Sequence, residues 1–156
     1  MDWVTDSPNW LTGRRLPLSF RFHVAMAGGL GIGGNLLHWD GDELDEAAAL
    51  IASYKEIRPV IQRGRLYRIT TVDRDPLGAW QYLAADGSEV VLLGWWGPDQ
   101  CGTRLFRPRL AGLDPAASYQ DLAAGQEHRG ASLMDVGLDL RAGAGFGSTL
   151  IRLRRR

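Results

Sequence analysis

Cysteine is almost missing from this chain. Cys101 is the only one in 156 residues, which excludes a disulfide framework and a cysteine-built zinc site and fits a reducing, cytoplasmic setting. Excess charge is missing too. Lys plus Arg equals Asp plus Glu at 18 each, so there is no electrostatic reason to expect nucleic acid or an anionic membrane as partner. The basic run Arg152, Arg154, Arg155 and Arg156 reads as a solvated tail. No apolar stretch is long enough to span a bilayer, and Met1 to Asp6 lacks the basic and apolar regions of a secretory signal. The three histidines, His23, His38 and His128, are scattered without metal-ligand spacing, so no metal is expected, and core packing or surface hydrogen bonding accounts for each.

What is present is the material of a globular core: 45% hydrophobic residues and six tryptophans, punctuated by twenty glycines. The short apolar run Phe22–Ala27 reads as a buried strand between loops. A glycine-rich stretch, Gly28 to Gly34, follows it. Asp40 or Asp42 can cap a helix from Glu43 to Arg58, with Leu44, Ala47, Ala48, Ile51, Tyr54 and Ile57 forming one apolar stripe. Pro59, which lacks an N–H, ends or kinks that helix. From Gly64 the texture changes to short strands. Leu66–Val72 alternates, and 79–84 with 89–96 flank Asp86-Gly87, a strong hairpin signal. Further strands are expected at Thr103–Leu110, Ser118–Leu122, Ser132–Leu138 and Ser148–Leu153. The expected class is α/β plus all-β, with a boundary at 63/64 and an antiparallel sandwich beyond it.

Candidate chemistry is sparse. Gly29-x-Gly31-x-x-Gly34 matches the dinucleotide fingerprint, but Asn35 to Trp39 separate it from the next helix, so no phosphate meets a helix N-terminus and the cofactor reading is rejected. Ser7 lacks a histidine and acid arranged around it and reads as a turn residue before Pro8. Asp6 is either a pocket carboxylate or one of the loop caps in Thr5–Asn9. A retaining glycosidase needs two carboxylates roughly 5–5.5 Å apart, and nothing local identifies such a pair.

Several strings together do point to a family. Thr5-Asp6-Ser7-Pro8-Asn9, Thr12-Gly13-Arg14 and Pro17-Leu18 resemble the S-D-x-P-N…T-G-R…P-L stretch of bacterial family 36 α-galactosidases. Arg21 with His23 to Gly28, followed by Leu30-Gly31, is similar to that family's R-x-x-V-A-M-x-G-x-L-G. Tyr54 to Arg58, Ile61-Gln62 and Gly64 to Arg68 resemble its Y-K-x-x-R-x-x-I-Q-x-G-x-x-Y-R. Leu110 to Pro115, Tyr119, Gly130, Leu133-Met134 and Gly137-Leu138 continue the match in order. The chain departs from the commoner pattern at Trp3, where histidine is frequent, and at Gly33-Gly34, where a Tyr-Glu-like pair is.

The resemblance implies that residues 1–63 are the last two βα units of a (β/α)8 barrel, with strands near Trp3–Thr5 and Phe22–Ala27, and that residues 64–156 are a C-terminal antiparallel β-sandwich. It implies retaining hydrolysis of terminal α-galactosyl residues in sugars such as melibiose or raffinose, with no cofactor. It places the family's nucleophile, in a Lys-Trp-Asp motif, and its acid/base upstream of Met1. His38-Trp39-Asp40 echoes that motif but opens the last helix, so Asp40 is a cap. The fragment alone is then expected to be inactive and to need the missing N-terminal barrel portion. The intact enzyme is open to homo-oligomerisation. Loops after the last two barrel strands would make Asp6, Ser7, Gly29 and Gly31 pocket-rim residues that bind substrate. Two alternatives stay open: a subunit completing another chain's barrel, or a free-standing carbohydrate-binding module with Trp80, Trp95 and Trp96 as its platform.

Overall fold

The computed structural model describes residues 2–71, 75–98 and 104–156; Val72, Cys101 and Thr103, at the ends or edges of sequence expectations, lie outside them. Strand β1 (Asp2–Val4) leads to helix α1 (Leu18–Met26), strand β2 (Leu30–Ile32), a single 3-10 turn (Leu36–His38) and the long helix α2 (Gly41–Arg63). β1 and β2 pair in parallel, with Asp2, Trp3 and Val4 opposite Leu30, Gly31 and Ile32.

The run Phe22–Ala27, expected as a strand, is helical. Leu18, Phe22, Ala25 and Met26 are all buried at the four-, three- and one-residue steps that put them on one helix face. Pro17 at the N-cap position, φ −53° and ψ 148°, starts the first turn, and its carbonyl accepts from Arg21 N–H at 3.1 Å. The second strand is instead the three residues Leu30–Ile32 inside the glycine-rich stretch.

Helix α2 begins where Asp40 predicts. Asp40 Oδ1 accepts from Glu43 N–H at 2.9 Å, satisfying one of the donors a helix start leaves open. Asp40→Ala is expected to lower stability by about 1 kcal/mol, read as a shift in the urea midpoint without a change in slope. The helix does not stop at Pro59 but runs on to Arg63. The missing Pro59 N–H orphans the Lys55 carbonyl, yet both residues are exposed to water, while Ile57, Val60 and Ile61 keep the helix packed on the core. Of the expected apolar stripe, Ala47, Tyr54 and Ile57 are buried, whereas Leu44 is 43% exposed.

Beyond Gly64, strands β3 (Arg65–Thr70), β4 (Leu77–Leu83), β5 (Glu89–Trp96), β6 (Arg104–Phe106), β7 (Ser118–Asp121) and β8 (Glu127–Arg129) precede α3 (Gly130–Asp135), β9 (Leu140–Ala142) and β10 (Gly147–Arg155). The main antiparallel sheet has the order β3-β4-β5-β10-β7-β8, and β6 pairs with β9 separately. The Asp86-Gly87 turn joins β4 and β5 as expected, with Gly87 at φ +72°, where a side chain is disfavoured. Segment Ser132–Leu138, expected as a strand, instead supplies α3. A Cβ at Gly130 would lie 2.0 Å from Asp114 O, so only glycine lets the chain turn in there and bury Leu133.

β4 and β5 are buried almost throughout because the sheet is covered on both faces. On one face Tyr82, Val91, Leu93 and Trp95 join Phe22, Met26, Ile57 and Ile61 of the helices. On the other, Val90, Leu92 and Leu153 pack with Leu133, Leu138 and Leu140. Polar ties reinforce the first interface. Arg152 pairs with Glu56 of α2 and, at 3.0 Å, with Glu89 of β5.

Candidate functional site

Two buried tyrosines set the position of β2. Tyr54 Oη donates to Gly28 O at 2.7 Å and accepts from Leu30 N–H at 3.3 Å. Tyr82 Oη donates to Ala27 O at 2.6 Å. The turn entering β2 is therefore held from α2 and from β4 together.

Because β1 and β2 run parallel, the loops that follow them, residues 5–17 and 33–40, leave from the same end. Val4 O accepts from both Gly33 N–H (2.9 Å) and Gly34 N–H (3.0 Å). A Cβ on Gly34 would stand 2.6 Å from Asp6 Oδ1, and one on Gly33 would stand 2.8 Å from Trp3 Cδ1. The glycine pair thus lets the second loop lie directly on the first. Asp6 Oδ1 accepts from Asn35 N–H at 3.0 Å, and Ser7 Oγ accepts from Leu16 N–H at 3.3 Å. Asn9 Oδ1 gathers Leu11 N–H, Thr12 N–H and the Thr12 hydroxyl, so the Thr5–Asn9 string does cap its own loop.

Between these loops lies a cleft of about 260 Å³ lined by Asp6, Ser7, Trp10, Arg21, His38, Trp39 and Glu43, with Pro8. Arg21 forms its buried wall. Its Nη1 donates to Thr5 O at 2.7 Å, its Nη2 stands 3.5 Å from Glu43 Oε1, and the guanidinium carbon sits 5.8 Å from the Trp39 ring centroid. Arg21 Nε is buried without a hydrogen-bond partner. Trp39 packs edge-on against Phe22, whereas Trp10 is 85% exposed at the rim.

Of the four residues expected at a pocket rim, the structure brings Asp6 and Ser7 together in this cleft. Gly31 is the middle residue of β2, opposite Trp3, and does not line it. Gly29 is displaced further: it precedes β2, at the end opposite the two loops, because the strand is 30–32 rather than 22–27. Sequence reasoning missed Trp10, Arg21, Trp39 and Glu43. Arg21 and Glu43 come from different helices, and only their packing makes them neighbours. The dinucleotide reading stays rejected, since the helix opens at Gly41, well past Gly34. Trp80, Trp95 and Trp96 form no open platform. Trp95 is 9% exposed and meets Trp80 edge-to-face at 5.6 Å, and a Cβ on Gly147 would strike the Trp96 ring.

Comparison with known proteins gives the site its context. Residues 1–64 match the Melibiase family model, and residues 77–153 match the model of the glycosyl hydrolase family 36 C-terminal domain. A probable α-galactosidase C of Aspergillus terreus is 35% identical over 149 residues, covering 95% of this chain and 20% of the relative. α-Galactosidase 1 of Pediococcus pentosaceus is 30% identical over 134 residues, covering 86% of this chain and 18% of the relative. The chain therefore spans about a fifth of the length of the curated relatives it matches. Among solved structures, a family 36 α-galactosidase of Geobacillus stearothermophilus crystallised with raffinose superposes with a TM-score of 0.92 at 28% identity, covering 98% of this chain and 21% of that one. With two models of one enzyme family matching successive parts of it in order, the chain belongs to glycoside hydrolase family 36, the α-galactosidases.

Proposed function

We propose that this chain is the C-terminal part of a retaining α-galactosidase: the last two strand–helix units of its catalytic barrel, residues 1–63, and a β-sandwich behind them, residues 64–156. The observation that carries the reading is the parallel β1–β2 pair, whose following loops open on one end and form a cleft with Asp6 and Ser7 at its edge. In a (β/α)8 barrel that end carries the active site. The substrates are terminal α-galactosides of small oligosaccharides; relatives have been crystallised with raffinose and with stachyose.

The bond-breaking pair does not come from this segment. Retaining hydrolysis needs a nucleophilic carboxylate and an acid/base about 5–5.5 Å apart. The two acids of the cleft have other work: Asp6 holds Asn35 and Glu43 faces Arg21. Residues 1–63 would supply part of the pocket wall, and the sheet would buttress the last two helices through the core around Phe22, Tyr82 and Val91.

The test is an assay of a polypeptide that carries this chain together with the upstream part that the family resemblance implies. It is expected to release nitrophenol from 4-nitrophenyl α-D-galactoside and to leave the β-anomer intact. Hydrolysis of the β-anomer, or of neither, would overturn the reading. The burial of Trp95 removes the platform on which a free-standing binding module would have rested.

A further inference from the structure

The cleft of Asp6, Ser7, Arg21, His38, Trp39 and Glu43 has a property that wall-building does not require: its unused hydrogen-bonding groups alternate in kind around one bare aromatic ring. Among the described residues, Asp6 Oδ2 carries no hydrogen bond, since Asn35 N–H goes to Oδ1. The Ser7 oxygen accepts from Leu16 N–H, which leaves the hydroxyl proton to donate. His38 can be assigned a tautomer. Asn35 Oδ1 is occupied by Leu37 N–H at 3.1 Å, so its Nδ2 end faces His38 Nε2 at 3.1 Å. The neutral ring must then accept at Nε2 and carry its proton on Nδ1, a free donor. Arg21 Nε–H is a further donor, buried and unpartnered in a side chain only 6% exposed, and an unmet buried donor is costly.

Trp10 stands at the rim with 85% of its surface in water. An indole so placed has a large apolar face with nothing packed on it. The ligand that answers both features has hydroxyls able to donate and accept around its edge and an apolar C–H face. It is also small, because about 260 Å³ is below the roughly 300 Å³ at which sites for drug-sized molecules begin.

We propose that this cleft is a binding subsite for one neutral pyranose ring, with Trp10 as its stacking platform and Asp6, Ser7, Arg21 and His38 as hydroxyl partners. It rests on the galactosidase reading for the choice of sugar: the ring it takes is one of the sugars of an α-galactoside such as raffinose.

The experiment titrates the 156-residue chain with raffinose, and with glycerol as the control for a general polyol effect, following the tryptophan indole N–H signals by NMR. Trp10 is assigned by the signal lost in Trp10→Phe. The expected result is a saturable shift of the Trp10 and Trp39 signals with a dissociation constant on the order of 1 mM, about tenfold weaker in Trp10→Ala and partly kept in Trp10→Phe. Because Trp10 is exposed, the remaining indole signals are expected to stay dispersed, which certifies the fold of the variant. No saturable shift with raffinose, an equal one with glycerol, or unchanged affinity in Trp10→Ala would overturn the subsite. Failure of the activity reading is separable: raffinose bound at Trp10 while the longer polypeptide cleaves no α-galactoside sinks that reading and leaves the subsite, and cleavage with no binding at Trp10 does the reverse.

Discussion

Truncating Phe22 to alanine is expected to remove about 4 kcal/mol of stability. Phe22 is fully buried, lies edge-on to Trp39 at 6.4 Å between ring centroids and joins the cluster that fastens α1 and α2 to the sheet. Its loss removes the transfer energy of a phenyl ring and leaves a hole bounded by α-helix and sheet, which cannot close in together. For a chain of this length the thermal midpoint should fall by about 10 °C. A loss under about 1 kcal/mol would place Phe22 outside the core and contradict the packing of α1.

That helix also marks where the sequence ceased to be readable. The apolar window Phe22–Ala27 is too short for its period to be judged, and the residue that reveals the helical face, Leu18, sits next to Pro17 and was grouped with the loop. β2 is three residues with glycine at its centre, so it has neither the length nor the alternation of a recognisable strand; it exists because β1 and two tyrosine hydroxyls hold it. Pro59 failed as a stop signal because its lost hydrogen bond faces water while its neighbours stay buried, so tertiary packing overrode local propensity. Where a single turn dictates geometry, reading was straightforward: Asp86-Gly87 gave the β4–β5 hairpin and Asp40 the start of α2. Asp6 and Ser7 could be placed in the pocket edge from their motif string. Arg21, Trp39 and Glu43 could not, since nothing in their spacing says that two helices and a loop converge.

Acidification gives the second large effect. His23 is buried, its Nδ1 is 2.9 Å from Ser148 Oγ across the α1–β10 contact, and burial lowers its pKa from 6.5 to about 4. The sign follows from which state binds the proton. Below pH 6.5 the unfolded chain protonates this ring while the folded chain does not until about pH 4, so stability is complete above the unfolded value and declines as the pH falls between the two. The slope is about 1.4 kcal/mol per pH unit, which amounts to about 3 kcal/mol between neutral pH and pH 4. Carboxylates contribute to acid unfolding as well, so the measurement is a difference: urea midpoints of the wild type and His23→Gln from pH 7 to pH 4. The variant is expected to lack the histidine part of the slope. Parallel curves would show that His23 takes up its proton as readily in the folded chain as in water. The same contact explains why the helices and the sheet are expected to unfold together, since α1 reaches β10 both through His23 and through Phe20, whose ring meets Phe146 at 5.9 Å.

These stability arguments concern a segment whose place in a hydrolase is the central point: it shapes the end of a sugar-cleaving barrel while the acids that break the bond are supplied by sequence outside it. The most direct measurement is the turnover of 4-nitrophenyl α-D-galactoside by the purified 156-residue chain. Release of nitrophenol at the rate of buffer alone is the predicted result. Turnover near 1 s⁻¹, the lower end of the usual range for enzymes, would contradict it and put a working pair of carboxylates within residues 1–156.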